Sequence, residues 1–194
     1  MSATDNNFDE LTASDGPARA PAGNGGSINR TLTIDALRGE GFNGFLTFEE
    51  LRLDASAVPS SAGGAYVVVR QSTEAPGFLE ESCGGHFKGR NPTEIVDVLE
   101  RKWVPDAQIV YIGKGDLLQR RLKQYARFGA GRPVGHLGGR YIWQLANSGE
   151  LRVAWKACAN GETATQLEAK LVGRFKQLYG RLPFANIADP SGSR

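Results

Sequence analysis

Apolar residues near the carboxy terminus recur at three- and four-residue steps: Ala164, Leu167, Leu171, Val172, Phe175 and Leu178. That spacing predicts an amphipathic helix from about Thr163 to Tyr179, stopped by Gly180 and followed by Pro183. Leu118, Leu122 and Tyr125 predict a second helix, with Asp116 as its cap. The run "NPTEIVDVLERKW" carries helix-start signals: Asn91 as N-cap, Pro92 at the first position and Glu94 reaching back. Ile95, Val98, Leu99 and Trp103 would form its inner stripe. The β-branched and aromatic runs "GGAYVVVR", "AQIVYIG", "GGRYIWQL" and "LRVAWKAC" predict strands, the last two joined by the turn "NSGE". Upstream, Thr33 precedes a short helix with Ile34 and Leu37, and Thr47 with Glu50 fits a capping box. Phe42, Phe45, Leu46 and Phe48 require something to pack against, and the expectation is that residues 28–60 cover an edge of the main domain. Residues 1–27 are too polar to offset their ordering entropy and predict a disordered tail; 189–194 predict a frayed end.

At 194 residues the chain is long enough for one domain with its own core plus extensions. No apolar run approaches the roughly 20 residues that span a bilayer, so no membrane association is expected. The amino terminus is polar and acidic rather than secretory in pattern, which leaves the cytoplasm as the expected location. Cys83 and Cys158 make no disulfide framework. With His86 and His136 they would make a Cys₂His₂ zinc set, but ordinary packing and loop roles are the expectation.

The net charge of +2 conceals an asymmetry. Residues 114–140 hold seven Lys or Arg (114, 120, 121, 123, 127, 132 and 140) against one acid, Asp116. Such a run is either a solvated face or an electrostatic footprint for a polyanion. Two further charges fall where a plain core would not place them. Glu168 lies on the apolar stripe of the last helix, four residues from both Ala164 and Val172. An unpaired carboxylate there is costly, so it must face a polar cavity, bind a cation, pair with a base or cap the helix with Thr165. Arg121 lies three residues after Leu118 and four before Tyr125, on the inward side, while Arg120 and Lys123 point away. It could lay its stem over apolar neighbours, pair with Glu168, or line a site for metal and phosphate.

"GAY" at 64–66 and "YIG" at 111–113 resemble the two strand motifs of the GIY-YIG nuclease superfamily. Lys114 directly after YIG, Arg121 ten residues after Tyr111, Tyr125 one turn later, Glu168 on the last helix and Asn186 closing "LPFAN" complete an ordered set over roughly residues 63–187. Two features depart from the family pattern: Ala65 stands in place of isoleucine, and Tyr66 and Tyr111 are 45 positions apart rather than on a short hairpin.

The resemblance implies an α+β fold, a small antiparallel β-sheet flanked by helices; the helical appendage ahead of it lies outside the family core. The nuclease domain would cover 61–188, with an insertion at about 71–106. It also implies a metal-dependent endonuclease acting on nucleic acid, DNA being favoured; the alternatives are a nuclease-like domain that binds nucleic acid without cutting and a protein-interaction module in which Arg121 and Glu168 merely pair. Glu168 would ligate one Mg²⁺ or Mn²⁺ and Arg121 would hold a phosphate oxygen. Tyr66 would act as general base or orient the attacking water, with Lys114 helping to lower its pKa. Tyr111 would hydrogen-bond the water or phosphate, and Asn186 would brace the site. Arg120, Lys123, Arg127, Arg132 and Arg140 would contact the backbone, and the glycines at 129, 131, 135, 138 and 139 would allow it to approach closely. His136 would be an ordinary turn residue, or would add a phosphate contact or proton transfer.

Overall fold

The computed structural model describes residues 32–190 and Gly192. The expected tail at 1–27, residues 28–31 of the appendage and most of the last residues lie outside the described residues.

Four antiparallel strands form one sheet. The elements in chain order are α1 (Ile34–Gly39), β1 (Asn43–Thr47), α2 (Phe48–Leu53), β2 (Gly64–Val69), α3 (Val96–Lys102), β3 (Ile109–Gly115), α4 (Leu118–Gly129), β4 (Arg152–Ala157) and α5 (Ala164–Tyr179), and the strand order is β1-β4-β2-β3. Every side chain of β2 is buried, because β2 lies inside the sheet and both faces are covered. Tyr66, Val68 and Tyr111 share one face with Leu118, Leu122, Tyr125 and Phe48. Ala65, Val67 and Ile112 face the other way, onto Leu167, Leu171, Val172 and Phe175 of α5 and Leu37 of α1. The fold is thus α+β, a small antiparallel sheet flanked by helices.

Where the chain's local signals agree with its packing, the elements fall where the pattern predicts. Thr163 and Gln166 form the reciprocal capping box of α5, and Gly180 closes it in the left-handed conformation at φ 70°. That cap places Glu168 inside the helix and removes the reading of Thr165 and Glu168 as its start. Thr33 caps α1, and Thr47 with Glu50 caps α2.

Other expectations are corrected. Residues 28–60 do more than pack two helices on an edge: β1 joins the sheet beside β4. Its register slips between Gly44 and Leu46, where Phe45 sits at φ 57° and a Cβ on Gly44 would lie 2.2 Å from the Trp155 ring. The third helix begins at Val96, not at Pro92. Asn91 accepts a hydrogen bond from the Thr93 N–H in a local turn, and the Glu94 N–H is drawn off to Gln144 Oε1 at 2.6 Å. Ile95 is therefore exposed and only Leu99 is fully buried on that helix. Asp116 makes no cap; the N-cap of α4 is Leu117, without a side-chain bond. Leu178 is partly exposed. "GGRYIWQL" forms a 3₁₀ turn over Arg140–Gln144 instead of a strand.

The segment between β2 and β3 explains that last change. It leaves β2 at Arg70 and returns at Gln108, where the Arg70 N–H donates to the Gln108 carbonyl. Along the way Leu79 N–H donates to Gln144 O, Cys83 N–H to Trp143 O and Gly85 N–H to Phe128 O. Gln144, fully buried, ties the segment together by donating to the carbonyls of Leu79 and Glu94. The main-chain groups that a strand would have offered to the sheet are satisfied by the inserted loop. Among the described residues, no helix is long and apolar enough to cross a membrane.

Candidate active site

The site forms at the end of β3, an edge strand. Its outer edge is sealed part of the way along: the Ala185 N–H donates to Val110 O, while Asn186 accepts from the Ile112 N–H at 2.9 Å and returns a bond to the Ile112 carbonyl at 2.8 Å. Beyond Ile112 the edge opens into a depression of about 420 Å³ lined by Tyr111, Lys114, Asp116, Arg120, Arg121, Gln124 and Glu168. Strand alternation turns the main-chain N–H of Lys114 to the same open edge as that of Ile112. A shallower second depression, of about 360 Å³, adjoins the first and shares Tyr111 and Glu168 with it.

Local packing dictates these positions. Arg121 sits one turn into α4, and a Cβ on Gly115 would come within 2.7 Å of the Arg121 Cβ, so helix and strand end meet closely. The guanidinium donates to the Gly135 carbonyl at 3.3 Å. Glu168 reaches the depression from α5, on the opposite face of the sheet, and Lys114 bonds the Thr165 hydroxyl one turn before it. Among the described residues Arg121 and Glu168 are not joined as an ion pair; the pairs formed are Arg38–Asp35, Arg140–Glu94, Arg174–Glu40 and Lys176–Asp189.

Tyr66 does not line the depression. It is fully buried behind Tyr111, with ring centroids 6.0 Å apart, and pairs with Gly113 across the β2–β3 ladder. Gly113 has to be small: a Cβ there would lie 2.7 Å from the Tyr66 hydroxyl and 2.9 Å from the Tyr111 ring. Tyr125 completes the aromatic cluster and donates to the Gly139 carbonyl at 2.7 Å.

His136 is not an ordinary turn residue. It is buried, stacks on Tyr125 with centroids 3.6 Å apart, and brings Nε2 to 3.4 Å from the Tyr66 hydroxyl. Its Nδ1 has no partner among the described residues. Its position in a glycine-rich loop gave no periodic signal of burial. Arg140 also differs from expectation: Glu94 of the inserted segment holds it at 3.3 Å, and its guanidinium lies over the Tyr141 ring. Its charge is already partnered. Arg120, Lys123, Arg127 and Arg132 are exposed and belong to none of those ion pairs. Asp116 and Gln124, which line the depression, had not been marked as site residues; Gln124 lies three residues after Arg121 on the same helix side.

Burial dominates the electrostatics. It raises the Tyr66 hydroxyl above its ordinary range, with the nearby Arg121 charge opposing, and raises Tyr111 and Tyr125 well above it. All three hydroxyls are neutral at pH 7. Burial also raises the Glu168 carboxyl, against the pull of Lys114 and then Arg121. His136 is driven well below its ordinary value by burial, then by Arg121.

That last shift has a measurable consequence. The unfolded chain takes up a proton at His136 as pH falls through about 6.5, while the folded chain refuses it, so folding stability contributed at this position is lost on acidification. Urea denaturation at pH 7.5 and 5.5 should show a steeper acid loss for the parent than for His136→Gln, by at most about 1.4 kcal/mol per pH unit. Identical pH dependence of the two would mean that His136 titrates freely.

In comparisons with known proteins, no family model matches the chain, and no curated protein or solved structure does so either.

Proposed function

We propose that the protein is a metal-dependent endonuclease of GIY-YIG type that hydrolyses phosphodiester bonds in nucleic acid, DNA being favoured. The observation that carries this reading is the meeting of Tyr111, Lys114, Arg121 and Glu168 around one open depression, with Arg121 and Glu168 left unpaired with each other. A structural Arg–Glu pair would have consumed both charges. The motif residues Tyr66, Tyr125 and Asn186 stand directly behind that surface. The two free thiols suit a reducing compartment, and we place the activity in the cytoplasm.

The donor set fits a hard cation. Glu168 is a partly buried carboxylate on the depression and Asp116 lines the same space, both oxygen donors. One or two carboxylates, with waters and substrate oxygens completing the sphere, is how Mg²⁺ or Mn²⁺ is held. When bound, the ion supplies charge stabilisation on the phosphate and the departing oxygen.

The chain's own groups have separable tasks. Arg121 holds a non-bridging phosphate oxygen in its planar fork, anchored from behind by the Gly135 carbonyl. Lys114 adds a second positive charge at the strand end. Tyr111, neutral and at the surface of the cluster, donates a hydrogen bond to the phosphate or the attacking water. Tyr66 has a raised pKa and a poorly basic His136 as its neighbour, so it acts by orienting and not by taking up a proton. Asn186 holds the backbone of Ile112 and so fixes Gly113 and Lys114 beside it.

Cleavage assays on supercoiled, branched and single-stranded DNA and on RNA, each with and without Mg²⁺ or Mn²⁺, test the reading. Metal-dependent cutting of at least one substrate supports it; binding without cutting on all of them would leave a nucleic-acid-binding domain instead. The exposed basic residues on and just after α4 carry their own prediction. Replacing Lys123, Arg127 and Arg132 with Ala should weaken DNA binding about equally for all sequences and reduce the slope of log K against log salt by up to roughly 3. Unchanged affinity at low salt would show that these charges are solvated surface only.

A further inference from the structure

The two depressions that share Tyr111 and Glu168 differ in the rest of their lining. The first carries Lys114, Arg120 and Arg121. The second is lined by Leu137, Ile187, Ala188 and Pro190, and its one cation, Arg140, is committed to Glu94 and to the face of Tyr141. The Asn186 amide, also on its wall, is used up on the Ile112 backbone. The second lobe therefore offers carbon surface and no free charge for a phosphate. Ile187 is 39% exposed there, a large apolar side chain that folding leaves at the surface. Gly138 lines the second lobe beside Tyr111: a Cβ would approach the Tyr111 hydroxyl to 3.3 Å.

We infer that the second lobe receives the base and sugar of an unpaired nucleotide next to the scissile phosphate, while the first lobe tracks the charged backbone. This rests on the nuclease reading and narrows its substrate class to nucleic acid with an unpaired nucleotide at the cut. A stacked, paired base presents neither its face nor its edge to a lateral pocket, whereas a nucleotide already out of the stack does so without the cost of unstacking. The volume of about 360 Å³ lies at the small end of ligand pockets, the scale of one nucleoside.

The test compares a fully paired DNA duplex with the same duplex carrying one unpaired nucleotide, under single-turnover conditions with Mn²⁺. The parent protein should cut the second substrate roughly tenfold faster or more, next to the unpaired position, because the unstacking cost is spared. Ile187→Ser should remove most of that preference at unchanged thermal stability, and Ile187→Leu should keep it. Equal rates on the two substrates, or a preference that Ile187→Ser leaves intact, would overturn the inference while leaving the nuclease reading standing. If the parent cuts neither of these nor any substrate of the panel above, the nuclease reading falls, and fluorescence decides this inference separately. With 2-aminopurine at the unpaired position, Glu168→Gln protein should change its emission several-fold more than at a paired position. No difference would overturn it.

Discussion

Glu168→Gln should fold as well as the parent, bind DNA at least as tightly, and cut it more slowly by about two to three orders of magnitude. The amide keeps the side chain's size and reach but cannot hold a cation by charge. Stability should not suffer. Burial raises the Glu168 carboxyl above its ordinary value, so its folded pKa exceeds its unfolded one. The parent then gains stability at this position as pH falls through that raised pKa, and at pH 7 it bears the cost of a partly desolvated carboxylate. The amide removes that cost. No arginine is orphaned by the change, because Arg121 donates to the Gly135 carbonyl and does not pair with Glu168. Thermal melting and cleavage on one preparation separate the effects: a large fall in melting temperature would reveal a structural role, and parental cutting would remove Glu168 from the chemistry.

Gly113→Ala should damage both fold and activity. The added methyl would sit 2.7 Å from the Tyr66 ring and hydroxyl and 2.9 Å from the Tyr111 ring. Tyr66 has no room to retreat, and Tyr111 can shift only toward the depressions it lines. Tyr66 is enclosed by Tyr125 and His136, and Tyr111 by Tyr125 and the close backbone of Gly138 and Gly139. Overpacking of this kind costs about 1–3 kcal/mol. For a chain of this size that is a fall in melting temperature of about 2–4 °C per kcal/mol. Cleavage should fall further than the lost stability accounts for, because Tyr111 moves at the surface where the phosphate would lie. DNA affinity should hardly change, since Lys123, Arg127 and Arg132 are untouched. A variant that melts and cuts like the parent would show that the tyrosine cluster is loose.

Much of this was legible in the sequence, and what was not has identifiable causes. The sheet's inner strand, the last helix with its capping box, and the inward placement of Glu168 and Arg121 follow from local periodicity, which the packing reinforces. Long-range partners decided the rest. Asn91 and Pro92 form a credible helix start, but Gln144, more than fifty residues away, takes the Glu94 N–H and holds the chain extended. Tyr141, Ile142, Trp143 and Gln144 are buried consecutively because the inserted loop covers one side of them and the core around Phe48 and Tyr125 the other, a pattern that period-two reasoning misreads as a strand. β1 escaped notice because Gly44 and the left-handed Phe45 look like a turn until the Trp155 ring beneath them is known. His136 lies in a glycine-rich loop, and only the fold brings it onto Tyr125.

The central claim is that the depression at the end of β3 hydrolyses phosphodiester bonds with a divalent ion. Its most direct test is a time course of the purified full-length chain on supercoiled plasmid DNA in Mn²⁺, with EDTA added midway. The account predicts progressive nicking or linearisation that stops on chelation; plasmid, and with it branched DNA, single-stranded DNA and RNA, all left intact by excess protein that demonstrably binds them would contradict the claim.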